Sequence, residues 1–122
     1  MAWDLQDDRP IYIQIVEHIQ LSILSGKYKP GEKFPSVREL ATEAAVNPNT
    51  MQKAMAELER QGLLYSHRTS GRFITEDTKM IEEMKANLAK EQVKLFFQNM
   101  QKIGYSKTET LQIVIKAAEE MK

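Results

Sequence analysis

Two helix starts lie close together in the middle of the chain, and they limit it to few folds. Ser36-Val37-Arg38-Glu39 has the form of a capping box, in which a serine hydroxyl and a glutamate carboxylate satisfy each other's exposed backbone donors. The short helix it starts is expected to run through about Ala44, with Val37, Leu40 and Ala41 inward. Ala45-Val46-Asn47-Pro48-Asn49-Thr50 follows, in which Asn47 is a good N-cap and Pro48 a good first helical residue. The helix predicted from there carries Met51, Ala54, Met55 and Leu58 on one face and stops at Gly62. Two short helices joined by a tight turn are a helix-turn-helix unit.

The flanking segments extend this unit. Ile11, Ile15, Ile19 and Ile23 recur at helical spacing, widened by Tyr12, Val16 and Leu24, so a first helix with one buried face is expected from Pro10 to Gly26. The stretch from Lys27 to Pro35, with two prolines and a Pro-Gly turn signal, reads as a connector with a short strand around Glu32 to Phe34. After Gly62 the period changes. Leu63 to His67 and Arg72 to Thr75 have strand composition, with turn chemistry at Arg68-Thr69-Ser70-Gly71. Helix, helix, helix, hairpin is the winged-helix order. Such a hairpin is marginal alone and must lean on the helices.

Residues 76–122 contain no proline and one glycine. A helix of about 25 residues is expected from Ile81, Met84, Leu88 and Leu95 on one line, with Val93, Phe96, Phe97, Met100 and Ile103 drifting from it, up to Gly104. A second capping box, Ser106-Lys107-Thr108-Glu109, starts a closing helix striped by Leu111, Val114, Ile115, Ala118 and Met121. Two helices with this much apolar surface cannot bury it against each other alone, so another subunit or the first domain should cover it. The expected fold is mainly α with a small β-hairpin. It comprises a winged helix-turn-helix domain over residues 1–75 and a two-helix dimerisation element over residues 76–122.

Composition narrows the function classes. With no cysteine among 122 residues, disulfide scaffolds, thiolate metal sites and cysteine nucleophiles are excluded. The N-terminal arm carries Asp4, Asp7 and Asp8 instead of the basic flank and apolar stretch of a signal peptide, so a cytoplasmic chain without a membrane partner is expected. Two distant histidines, no glycine-rich phosphate loop and no ligand-spaced cluster argue against an enzyme, a metal or a cofactor. Seventeen Lys and Arg balance seventeen Asp and Glu, which at first argues against nucleic acid, whose partners are usually basic. The balance is uneven along the chain, however. Lys27, Lys29, Lys33 and Arg38 face only Glu32 between positions 27 and 38, a local charge of +3, whereas the tail pairs eight acids with eight lysines.

Taken together, Pro10-x-Tyr12-x-Gln14-Ile15, Pro30-Gly31-x-x-x-Pro35-Ser36-x-Arg38-Glu39-Leu40-Ala41, Val46-Asn47-x-Asn49-Thr50, Ala54-x-x-Glu57-Leu58-Glu59-x-x-Gly62-Leu63-Leu64 and Gly71-Arg72-Phe73-Ile74 resemble the DNA-binding domain of GntR-type transcription regulators. The resemblance covers about residues 9 to 75. The Asn-Pro-Asn-Thr helix start, Trp3 and a short tail are similar to the YtrA-like subfamily. The resemblance implies a dimeric regulator, most often a repressor, and YtrA-like members commonly sit beside genes for ABC transporters. The tail is too short for the bulky ligand-binding domain of the larger branches.

Base reading needs paired donors and acceptors on an inserted helix, and phosphate contacts need cations or helix N-termini. Asn49, Thr50, Gln52 and Lys53 lie opposite Met51, Met55 and Leu58, at the end where a recognition helix meets base edges. A plain reading remains beside this, with Asn47 only a cap and Gln52 and Lys53 a solvated face. Arg38 sits in a helix first turn, where a cation is unfavourable to the dipole; the resemblance gives it a DNA contact. Ser36 is explained by capping alone or by a phosphate contact as well. The family often has a basic residue where this chain has Pro48. The wing tip, His67 to Arg72, places Arg68, Ser70, Gly71 and Arg72 where they would meet the minor groove or its phosphates; an exposed charged turn is the alternative.

The expected function is therefore a sequence-specific regulator binding a pseudo-palindromic operator as a homodimer. The alternative is a winged helix turned into a protein-interaction module, which would favour aromatic and aliphatic anchors over the polar group at Asn49 to Lys53. Ile81, Met84, Leu88, Phe96, Phe97, Met100, Leu111 and Ile115 are the expected dimerisation residues. Phe96, Phe97, Met100 and Tyr105 form either plain core or the lining of an effector pocket. A small-molecule effector, unnamed by anything in the sequence, would act by changing the distance between the two recognition helices.

Overall fold

The computed structural model describes residues 3–121; the extreme ends of the two expected segments, residues 1, 2 and 122, lie outside the described residues. In chain order the elements are α1 (Ile11–Leu24), α2 (Val37–Ala44), α3 (Pro48–Arg60), β1 (Leu64–His67), β2 (Gly71–Ile74), α4 (Thr78–Ile103) and α5 (Lys107–Glu120). The chain divides into two compact units, Met1–Glu82 and Glu83–Lys122, and the division falls inside α4.

The first unit is built around α3, which packs on α1, α2 and β1. Ile15 and Ile19 of α1, Leu40 of α2, and Met51, Met55 and Leu58 of α3 are fully buried together with Leu63 and Ile74. Each such side chain contributes about 1.5–3 kcal/mol by leaving water. The apolar positions read from helical spacing are thus the core positions. The helix ends also follow from local chemistry. Ser36 Oγ accepts from the Glu39 amide at 3.1 Å, and the Glu39 carboxylate accepts from the Ser36 amide at 3.1 Å. Asn47 Oδ1 accepts from the Asn49 amide at 2.7 Å, which caps α3 ahead of Pro48.

Between α2 and α3 the chain turns at Ala45, whose φ of 59° is left-handed. The turn is closed by the Val46 amide donating to Ala41 at 3.0 Å. A left-handed residue other than glycine costs about 1–2 kcal/mol, whereas glycine loosens the unfolded chain by only about 0.4–1 kcal/mol. Ala45→Gly is therefore expected to raise the thermal melting temperature slightly; a lower melting temperature would refute this account of the turn.

The hairpin pairs Leu64 with Ile74, Tyr65 with Phe73, Ser66 with Arg72 and His67 with Gly71. Gly71, expected in the turn, opens β2, and Thr75, expected in the strand, lies beyond it. The anticipated strand near Glu32 is reduced to a single bridge between Lys33 and Phe73. Pro30 and Pro35 bracket this segment and supply no amide donors, so it cannot lengthen. It still covers the free edge of β2, with Phe34 donating to Arg72 at 2.8 Å and Ile74 donating to Glu32 at 2.8 Å.

The N-terminal arm is docked. Gln14, buried on α1, accepts from the Gln6 amide at 2.6 Å and donates to the carbonyls of Gln6 and Arg9 at 2.8 and 2.9 Å. Trp3 stacks on His18 with ring centroids 3.9 Å apart and donates its indole N–H to Glu43 at 2.8 Å. Burial under this ring, with Lys27 nearby, holds the His18 imidazole below its ordinary pKa.

In the second unit, Ser106 and Glu109 form the reciprocal cap expected for α5. Thr110 is fully buried and donates its hydroxyl to the Ser106 carbonyl at 2.8 Å. Most of the large apolar side chains here are open: Val93, Leu95, Phe96, Ile103, Leu111, Ile113 and Ile115 are all exposed.

Candidate nucleic-acid interface

Three pieces of the first unit carry the expected contact residues: the start of α2, the start of α3 and the hairpin tip. At α2, the Ser36 hydroxyl is engaged in the cap, where its oxygen accepts from the Glu39 amide. The two bonds from Ser36, backbone first and side chain second, hold the Glu39 carboxyl below the usual carboxylate range. Glu39 therefore stays ionised at the helix N-terminus, where a negative charge is favourable. Arg38 is exposed on the first turn and makes no side-chain hydrogen bond or ion pair among the described residues.

At α3, Asn49, Gln52 and Lys53 are exposed, and Thr50 is half-buried beside the arm. Asn47 is committed through its carbonyl oxygen to the cap, which leaves its amide nitrogen as a donor. The Lys53 ammonium lies 4.0 Å from the centre of the Tyr12 ring, so α1 directs this cation. Thr50 and Asn47 line an open groove with Trp3, Leu5 and Asp7 of the arm.

At the wing, Arg68, Ser70 and Gly71 are exposed, and the Ser70 amide donates to the His67 carbonyl at 3.2 Å to close the turn. Gly71 has a φ of 95°, a conformation that side chains rarely adopt. Arg72 differs from the solvated charge that composition suggests. It is half-buried, and its Nε donates to Glu59 of α3 at 3.1 Å. Glu59 also accepts from the Ser66 hydroxyl. On the other face of the hairpin, Phe73 stacks with Tyr65 and meets the edge of His67.

Sequence reasoning placed Tyr12 on the apolar stripe of α1 and both Tyr12 and Glu59 in the family motifs, but gave neither a role at this site. Tyr12 stands far from Lys53 in the chain, and no local pattern links them. Glu59 did leave a signal: an acid in the last turn of a helix opposes the dipole just as Arg38 does in a first turn.

The residues expected at the dimer interface fall into two groups. Ile81 is 8% exposed and belongs to the first unit, so its burial is supplied by its own chain. Met84, Leu88, Phe97 and Met100 are half-buried, and Phe96, Leu111 and Ile115 are exposed. Phe96 meets Phe97 edge-on at 5.9 Å, and Phe97 lines an open groove of about 370 Å³ with Lys107, Thr108 and Leu111. Among the described residues, no helix is long and apolar enough to cross a membrane.

A capped helix-turn-helix with a hairpin wing defines a winged-helix domain. The family model for bacterial regulatory proteins of the gntR family matches residues 11–74, and the chain belongs to that family. The family is one of transcription regulators, not of enzymes. The chain is 46% identical over 92 residues to the HTH-type transcriptional repressor YtrA of Bacillus subtilis, covering 75% of this chain and 71% of YtrA. A GntR family transcriptional regulator from Listeria monocytogenes superimposes with a TM-score of 0.85 at 42% identity, over 92% of this chain and 98% of that one. The DNA-binding domain of AraR, solved in complex with operator ORX1, matches with a TM-score of 0.53 at 36% identity, over 62% of this chain and 92% of AraR's.

Proposed function

We propose that this chain is a cytoplasmic repressor that binds a pseudo-palindromic operator as a homodimer. The start of α3 would lie in the major groove, the start of α2 on the phosphates and the wing at the flanking minor groove. The observation that carries this reading is the group of exposed polar side chains at the first turns of α2 and α3, Arg38, Asn49 and Gln52, which have no side-chain partner among the described residues. The AraR complex supports operator binding through this kind of domain. The repressor reading is supported by the name of the YtrA relative. The resemblance of the sequence to YtrA-like regulators adds an ABC-transporter operon as the expected target. Residues 1–75 would be the reader and residues 76–122 the clasp that joins two copies. An effector, where one acts, would have to change the spacing of the two readers.

The reading is tested by incubating the intact chain with duplexes from its own promoter at about 50 mM salt, where phosphate contacts are strong. A specific shift is expected; no shift of any such duplex would sink the proposal. Selection of bound fragments from the source genome would then identify the operon. Asn49→Ala is expected to relax preference at one base position of each half-site. The right-to-wrong base ratio there should fall by roughly tenfold, the low end for a lost bidentate contact. Competition with single-base variants measures it, and an unchanged ratio would remove Asn49 from the reading face.

A further inference from the structure

We propose that Glu59 is a positioning residue that fixes the wing on α3 and aims Arg72 at the DNA backbone. The inference rests on the operator-binding reading above and adds a residue to it. Glu59 stands in the last turn of α3 and reaches both strands of the hairpin: Arg72 Nε on β2 at 3.1 Å and the Ser66 hydroxyl on β1. Ser66 and Arg72 are direct cross-strand partners, so one carboxylate grips one rung of the ladder from one face.

That rung needs a grip. Each strand has four residues, and burial ends at the base, where Leu64 and Ile74 enter the core while Tyr65, Ser66 and His67 are exposed. A two-stranded hairpin of this length does not hold its own orientation; the connector bonds the Arg72 carbonyl and the Ile74 amide and so steadies the β2 edge, which leaves β1 and the α3 side to another contact. The aromatic trio Tyr65, Phe73 and His67 stiffens the hairpin within itself but does not tie it to α3. Among the described residues, Glu59 is the α3 side chain that hydrogen-bonds the hairpin.

The geometry of the bond matters for function. Glu59 takes only Nε of the guanidinium, so the terminal nitrogens keep their donors. The side chains are 19% exposed for Arg72 and 29% for Glu59, so solvent screens the pair only in part. Fixing the guanidinium before DNA arrives removes the ordering cost of a phosphate contact. The Glu59 charge also offsets that of Arg72 at a distance, which limits attraction to DNA of any sequence while leaving the short-range contact in place.

The test compares Glu59→Ala, Glu59→Gln, Arg72→Ala and the Glu59→Ala/Arg72→Ala double variant in the intact chain. Operator and non-operator duplexes are titrated across salt, and hydrogen exchange of the free proteins is followed. Glu59→Ala is expected to weaken operator binding about fivefold, the scale of ordering one long side chain, with non-operator affinity unchanged or raised. Glu59→Gln keeps an acceptor for Arg72 and Ser66 and should return to within about twofold of the native chain. In the Arg72→Ala background, Glu59→Ala should have little further effect. Amides of residues 65–73 should exchange faster in Glu59→Ala, with those of α1 to α3 unchanged. Equal losses with and without Arg72, or unchanged exchange in the hairpin, would overturn the assignment. If the native chain binds no operator, the DNA reading fails, and the exchange measurement alone still decides whether Glu59 holds the wing.

Discussion

Arg38→Ala is expected to weaken operator binding by ten- to a hundredfold, about 1.4–2.7 kcal/mol, as for loss of one good bidentate contact. The same change should leave the free protein as stable as before or slightly more so. Arg38 is exposed and without a side-chain partner among the described residues, so truncating it breaks nothing internal. Its position in the first turn of α2 sets a positive charge against the helix dipole, a cost of about 0.3–1 kcal/mol at low salt that alanine removes. The two effects have opposite signs, which distinguishes loss of a contact from loss of the fold. Arg38→Lys separates the modes of contact further. A lysine keeps the charge but not the planar fork, so near-native affinity would mark a phosphate contact and a loss close to that of alanine a bidentate one. Arg38→Ala with native operator affinity would remove the α2 start from the interface.

How much of this was legible in the sequence depended on the range of the interaction. The capping boxes at Ser36 and Ser106 and the Asn47-Pro48 start are local, each closed within a few residues, and the structure has all three in place. The core followed from helical spacing for the same reason: Ile15, Ile19, Met51, Met55 and Leu58 each lie on a stripe visible in a single window. The hairpin was recognisable from strand composition, although its ends shifted by one residue because Gly71 could serve either as turn or as strand start. What composition could not show was pairing between distant segments. The polar arm carries no local pattern that shows its docking on Gln14 and His18. The sequence assigns Lys53 and Arg72 to the DNA-facing surface but shows neither the Tyr12 ring beside Lys53 nor the Glu59 carboxylate on Arg72, because α1 and α3 supply these from distant positions. The division inside α4 was equally hidden, since a continuous helix carries no break in its pattern there.

The largest effect is expected from a charge placed on the second unit. Leu111→Asp should convert a dimer to a monomer in sedimentation and weaken binding to the full operator by about 10²–10⁴-fold, the avidity gained when two linked sites bind together. Leu111 is 52% exposed on α5, and Phe96, Ile113 and Ile115 are open in the same unit. Isolated helices as short as the 14-residue α5 are marginal in water, so this unit needs apolar cover to persist. In the proposed homodimer a second copy of the chain would supply that cover and would set two readers about one helical turn of DNA apart, near 34 Å, as a pseudo-palindrome demands. Because Leu111 lies outside the first unit, binding of the monomer to an isolated half-site should be unchanged by the substitution. That comparison decides the role of the second unit. Equal losses on the half-site and the full operator would mean that Leu111 supports the reader directly, and a variant that stays dimeric with native operator affinity would place the clasp elsewhere.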